Sequence, residues 1–381
     1  MSIDSPSLLE TFEQVCANPY QQARAAAEQG VPVAGLMCSY SPQELFHAAG
    51  YLPVRILGRA GATPRADQLV QTYSCSFARS ALDSGLAGEL DFLRLAVFSH
   101  TCDTLQNVAD LWKRNCPGMQ TLIVSTPNQT AGAAAQTYFR KELARVRAEL
   151  AATAGPISDD DLRASMVLHA RHRATMQRLY ALRRDNPGAL TGRQMMAVVT
   201  ASFLMPKEEH LEKLTELLGA LEQHPPGQAD TRPRVLVAGS VCQDLGFIGA
   251  IEDAGCRIVD DDLCMGARSF LVPEAAEGDP LDALADQYLA RTPCPAFHCP
   301  GFDPGTHLLE RAQQAGADGV VFLLTKFCDP WAFDYAHAKN TLDEADIPAL
   351  MLEVEQNLPV PEQFRTRTGA FVEILQSRAG L

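Results

Sequence analysis

The sequence predicts an α/β protein with two Rossmann-like or flavodoxin-like parallel-sheet lobes and a helical domain. Three patterns carry this. Short apolar runs at 33–37, 95–98 and 319–324 each end just before a cysteine, Cys38, Cys102 and Cys328, and a polar helix start follows each one. Strand-like and helix-like segments alternate in both halves, which is the grammar of parallel sheets with right-handed crossovers. The second half repeats the order of the first after a long helical stretch.

Residues 1–30 form an N-terminal helical segment, with Leu8, Leu9, Phe12 and Val15 at helical spacing. The first α/β lobe spans 31–130. Its opening strand runs into Cys38, and a helix then starts at Ser41-Pro42-Gln43-Glu44, where Ser41 and Glu44 have the spacing of a capping box and Gly50 supplies a stop. Further strands are expected at 52–57, 95–98 and 121–124. A helical insert fills 131–228, with helices at 138–150, from Ser158 to about 185, and at 208–221. Within it His169, Arg171, His172 and Arg173 read either as a solvated basic face or as an anion contact. The turn signal His224-Pro225-Pro226-Gly227 closes the insert. The second lobe, 229–381, opens with a strand at 234–239, continues through Val241-Cys242 and a helix ending at Ala254-Gly255, and has strands at 256–259 and 320–324.

Composition narrows the function. A net charge of -14 leaves no bulk basic face to neutralise phosphates, so a general nucleic-acid partner is not expected. No stretch is long and apolar enough to span a membrane, and Met1-Ser2-Ile3-Asp4-Ser5-Pro6 has no signal-peptide character, so the expectation is a cytoplasmic protein without a membrane partner. Thiols in that compartment stay reduced, and eleven cysteines cannot all pair.

If the strands are parallel, Cys38, Cys102 and Cys328 meet at the carboxyl edge of the sheets, where such folds bind ligands. Each lies at a helix start, where the helix dipole lowers a thiol pKa and favours metal ligation. Their spacing is long, and no Cys-x-x-Cys pair is present, so local context leaves both an iron–sulfur cluster and structural cysteines open. Cys75 is a plausible neighbour, and Cys294, His298 and Cys299 are too crowded for a good zinc site.

The blocks Met37-Cys38-Ser39-Tyr40-Ser41-Pro42-Gln43-Glu44-Leu45, Ala48-Ala49-Gly50-Tyr51-Leu52-Pro53-Val54-Arg55 and Cys102-Asp103-Thr104 resemble the 2-hydroxyacyl-CoA dehydratase and benzoyl-CoA reductase family. The blocks Asp261-Asp262-Leu263-Cys264-Met265-Gly266-Ala267-Arg268, Lys326-Phe327-Cys328-Asp329-Pro330 and Glu362-Gln363-Phe364-Arg365-Thr366-Arg367 follow in family order. The resemblance implies a [4Fe-4S] cluster on Cys38, Cys102 and Cys328 with one iron lacking a protein thiolate, or a double-cubane [8Fe-9S] cluster in a homodimeric branch. It further implies a related, larger cluster-bearing partner subunit and an acyl-CoA substrate. A separate ATP-hydrolysing iron–sulfur activator, fed by ferredoxin, would deliver low-potential electrons. ATP work on another component fits the lack of a Gly-x-x-x-x-Gly-Lys-[Ser/Thr] loop here. Phe327 and Trp331 are candidates for an apolar cluster wall, and Arg268, Arg365 and Arg367 for CoA phosphates or a subunit interface. The bias of 26 arginines against six lysines favours an aromatic-degrading bacterium. That points to the smaller subunit of a benzoyl-CoA reductase, with a 2-hydroxyacyl-CoA dehydratase β-type subunit (ketyl-radical elimination of water) as the alternative. A non-enzymatic α/β interaction or zinc protein is the remaining alternative.

Overall fold

A computed structural model describes residues 5–186, 188–223, 230–275, 277–356 and 358–380. The expected turn at 224–227 lies outside the described residues. From the N-terminus run α1 (Ser5–Ala17), α2 (Gln21–Glu28), β1 (Val33–Leu36), α3 (Gln43–Ala48), β2 (Leu52–Arg55), α4 (Ser76–Leu86), β3 (Leu95–Ser99), α5 (Asp103–Asn115) and β4 (Gln120–Val124). A helical stretch follows, with α6 (Ala133–Ala154), α7 (Asp159–Asp185), α8 (Gly192–Ala201) and α9 (Lys207–Glu222). Alternation then resumes with β5 (Arg234–Gly239), α10 (Leu245–Asp253), β6 (Arg257–Leu263), α11 (Pro280–Leu289), α12 (Pro304–Gln314), β7 (Gly319–Thr325), α13 (Asp329–Glu344), β8 (Ala349–Val354) and α14 (Glu362–Ala379).

The strands form two parallel four-stranded sheets, ordered β2-β1-β3-β4 and β6-β5-β7-β8. The two orders are the same, so the repeat seen in the sequence is a repeat of topology. In each sheet the strand order reverses at one place, between β1 and β3 and between β5 and β7. A parallel sheet covered on both faces needs continuous apolar strands, and all seven residues of β7 are buried.

The helical layers interlock the halves. α1 packs on α8 and α9 and joins the core of the second sheet through Leu9 and Phe12. In the opposite direction α11, which follows β6, packs on α6 and places Leu281, Leu284 and Tyr288 in the core of the first sheet. α8 was not anticipated. Its sequence Gly-Arg-Gln-Met-Met-Ala-Val-Val-Thr-Ala is apolar nearly all round, which removes the periodic signal, and Thr191 with Gln194 forms the capping box that starts it.

Two local expectations fail for the same reason, which is tertiary pairing. Ser41 does not cap α3: its Oγ lies 3.0 Å from Ser99 Oγ, and the Glu44 carboxylate turns to Arg173 and Tyr288 instead. β6 runs on past 259 through Asp260, Asp261 and Asp262, all buried. Burial is tolerated because each acid is partnered. Asp260 faces Arg311 at 2.9 Å, Asp261 accepts from Tyr180 and from the backbone of Ala267, and Asp262 is held by Arg268 and His307.

Gly239 ends β5 at φ 141°, and a Cβ there would stand 2.2 Å from the Leu323 carbonyl oxygen. Gly239→Ala is expected to destabilise the fold by about 3 kcal/mol, the scale of a backbone clash in a packed sheet. Gly118→Ala, with open space around it, should stay within about 0.5 kcal/mol. Urea unfolding of the two variants against the parent measures both.

Candidate metal centre

Each of the three cysteines follows a strand at a point of strand-order reversal. Cys38 lies two residues beyond β1, Cys102 is the residue before α5, and Cys328 is the residue before α13. The β1 and β3 loops are tied together: Cys38 Sγ is 3.7 Å from Thr101 Oγ1, next to Cys102. On the other sheet, Cys328 N donates to Thr325 O at 2.9 Å and Ser240 Oγ to Thr325 Oγ1 at 2.7 Å, fixing the β7 loop to the end of β5. Phe327 turns the chain at φ 65°, a left-handed conformation that a bulky residue adopts only when its surroundings impose it.

Hydrogen bonds across the two lobes bring these loops into one crevice. Ser39 Oγ reaches Cys264 O at 3.4 Å, Gln356 N donates to Ser76 Oγ at 3.0 Å, and Gln243 exchanges two bonds with Gly58. Glu355 sits between Lys326 at 3.3 Å and Arg79 at 3.6 Å, so the start of α4, which follows Cys75, is held beside the loop that carries Cys328.

Burial pushes all three thiols up, Cys102 to about 12, and outweighs the helix-start effect that the sequence suggested. The second influences show who faces whom. Cys38 is eased down by Arg55 and pushed up by Cys264, Cys102 is pushed up by Cys75 and Cys38, and Cys328 by Cys75, Cys102 and Cys264. Cys102 therefore lies within electrostatic reach of both Cys38 and Cys328, and Cys75 and Cys264 neighbour the same loops. Among the described residues no three His, Cys, Asp or Glu side chains stand close enough to hold a single metal ion. A cubane makes a different demand, since its ligand sulfurs lie roughly 6–7 Å apart.

The remaining expected residues separate. Trp331 is buried beneath Arg268, whose guanidinium is 4.5 Å from the ring centroid. Arg268 itself is committed to Asp262 through two bonds of 2.9 and 2.7 Å and to Pro293 O. Phe327 is 40% exposed with the Lys326 ammonium over its ring, and Phe333 is more exposed still. Arg365 and Arg367 are exposed on α14.

Sequence reasoning missed two guanidiniums that flank the residue after Cys38. Arg55 Nη1 donates to Ser39 Oγ at 3.4 Å and Arg291 to Ser39 O. Arg55 is 4% exposed, its Nε has no partner, and no carboxylate pairs with it among the described residues. A buried cation without a counter-charge is costly, and a thiolate-bound iron–sulfur cluster is an anion, so the residues present fit such a group. The run Leu-Pro-Val-Arg showed that a charge ends β2, but a missing partner is visible only in three dimensions.

Comparison with known proteins decides the family. The family model described as 2-hydroxyglutaryl-CoA dehydratase, D-component, matches residues 38–375. The chain belongs to this family. It is 31% identical to the beta subunit of lactoyl-CoA dehydratase from Anaerotignum propionicum, over 97% of this chain and 99% of that one. It is 28% identical to the (R)-phenyllactyl-CoA dehydratase beta subunit of Clostridium sporogenes, over 98% and 100%. It is also 28% identical to a benzoyl-CoA reductase subunit of Thauera aromatica, over 97% and 96%.

This dehydratase-family chain also carries a polar cavity that the sequence did not reveal. His169 and His172, read as candidates for a solvated face, are buried instead. With Glu44, Arg173, Lys207, Gln287, Tyr288 and others they line a cavity of about 30 Å³ between α3, α7 and α11. Burial raises the Glu44 carboxyl, but His169 and Arg173, the latter at 2.7 Å, more than offset it and hold the group at about 2. Burial drives His169 down to about 4, with Glu44 opposing, and His210 to about 3.

The unfolded chain therefore takes up a proton at His169 before the folded one does. The resulting stability contribution is whole above about 6.5 and is lost as pH falls toward about 4. Urea unfolding between pH 7 and 4 should show falling stability, with a shallower fall in His169→Gln. Equal slopes for parent and variant would contradict this.

Proposed function

We propose that this chain is the iron–sulfur subunit of an ATP-dependent acyl-CoA reductase of the benzoyl-CoA reductase kind, with a [4Fe-4S] cluster on Cys38, Cys102 and Cys328. The observation that supports the reading is that buried Cys38 lies beside Arg55, which has no carboxylate partner among the described residues, while half-buried Cys102 is in electrostatic reach of Cys38 and of half-buried Cys328. When bound, the cluster supplies one-electron transfer at low potential. The chain's own residues hold the ligand loops rigid, exclude water through Trp331 and the buried sheet ends, and balance charge. The relatives are themselves named as single subunits of dehydratases and of a reductase, which supports a partner subunit of related design. The electrons come from a separate ATP-hydrolysing activator supplied by ferredoxin, since this chain has no phosphate-binding loop of its own. The arginine bias favours an aromatic acyl group over the 2-hydroxyacyl group named in the dehydratase relatives.

A second reading is favoured by sulfur count. Cys75 and Cys264 influence the three proposed ligands electrostatically, and Cys294 feels both Cys264 and Cys38. Cys264 and Cys294 also line one small cavity with Ser39 and Trp331. Six thiols around one crevice exceed the need of one cubane and suit a double-cubane [8Fe-9S] cluster in a homodimer.

Anaerobic assays of the chain with its partner, activator and ATP separate these. Benzoyl-CoA reduction that requires all three components is the expected result. Dehydration of a 2-hydroxyacyl-CoA instead would reassign the substrate, and activator-driven turnover without a partner subunit would favour the double cubane. Cys328→Ala should abolish turnover, whereas Cys116→Ala, at a turn away from the crevice, should leave most of it. Equal loss in both would show general destabilisation.

A further inference from the structure

We propose that Arg55 is the buried counter-charge of the cluster and sets its reduction potential; this rests on the cluster reading above. Arg55 ends β2 and pairs in register with Leu36, two residues before Cys38, so its side chain leaves the sheet at the same edge as that thiol. Among the described residues its only side-chain bond, to Ser39 Oγ at 3.4 Å, is long and to a neutral hydroxyl.

Two of the other buried arginines are paired with acids. Arg257 reaches Asp230 and Glu252, and Arg311 reaches Asp260. Arg183 shares with Arg55 an unpartnered Nε and has no ion pair among the described residues, but it donates to Ile258 O of β6 and lies by Tyr180, which bonds Asp261. Arg291, the second cation at Ser39, is only partly buried and stacks on Tyr288 at 4.9 Å, so water shares in its solvation. Among the described residues, Arg55 is the buried arginine beside Cys38 that has no carboxylate partner.

A fully buried guanidinium in that state is destabilising, and the fold retains it where an anionic group would relieve the cost. The cluster gains negative charge on reduction, so a fixed cation nearby stabilises the reduced form and raises the potential. The protein's binding of the cluster and its tolerance of Arg55 are then linked: each stabilises the other.

The test compares Arg55→Met, which keeps the bulk, and Arg55→Lys, which keeps the charge, in metal-free and anaerobically reconstituted full-length protein. Arg55→Met should melt higher than the parent without iron and lower than the parent with it. Its midpoint potential by spectroelectrochemistry should be more negative, while Arg55→Lys should stay near the parent in both readouts. If Arg55→Met melts lower without iron, or does not fold, Arg55 is a structural residue and the proposal fails. An unchanged potential in an iron-loaded Arg55→Met protein also overturns it. A parent that takes up no iron would sink the cluster reading itself, a result seen before any variant is compared.

Discussion

The two sheets share a strand order that reverses between β1 and β3 in one and between β5 and β7 in the other, and the crevice at each reversal opens at the carboxyl ends of the strands. Chain leaving β1, β3 and β7 must pass through that space before it can start the next helix. Everything distinctive about the molecule is placed by this constraint: Cys38, Cys102 and Cys328 are the residues carried through it. The lobes cannot drift apart, because α1 completes the core of the second sheet and α11 that of the first. The exchange fixes the relative position of loops that lie up to 290 residues apart in sequence.

Charge burial follows a consistent pattern around the crevice. Asp260, Asp261 and Asp262 sit inside β6 because arginines, a histidine, a tyrosine and backbone N–H groups meet them one by one. Glu44 is held by Arg173 and Tyr288, and it was the need to satisfy this buried carboxylate that took it from the capping role its spacing suggested. Removing one partner of such a pair leaves a bare charge, which costs more than the pair ever contributed. Arg55 departs from this pattern beside Cys38, where the proposed cluster would supply the missing negative charge.

Strand ends were the most legible part of the sequence. Apolar runs that stop at a cysteine followed by a helix start located β1, β3 and β7 to within one or two residues, and the repeated order foretold two sheets of one topology. Apolar β6 residues give way to Asp260, where the strand signal stops; only the partners in α7 and α12 explain why the strand continues. His169 and His172 looked like a solvated face because neighbouring arginines on α7 are charged, whereas the helix is covered on that side by α3 and α9. Similarly, Cys264 and Cys294 gained meaning only once the segment after β6 was seen to cross toward the first lobe and return Arg291 to Ser39. Family blocks carried the assignment further than local spacing could, and the match over 38–375 agrees with them.

Iron and acid-labile sulfide determined on anaerobically purified protein, with the absorption and magnetic spectra of the same sample, test the central claim most directly. The account predicts about four irons and four sulfides per chain, or about eight irons for the double cubane, with the content lost in Cys38→Ala, Cys102→Ala and Cys328→Ala. Iron-free protein after anaerobic reconstitution, or full iron content in any of those three variants, would contradict it.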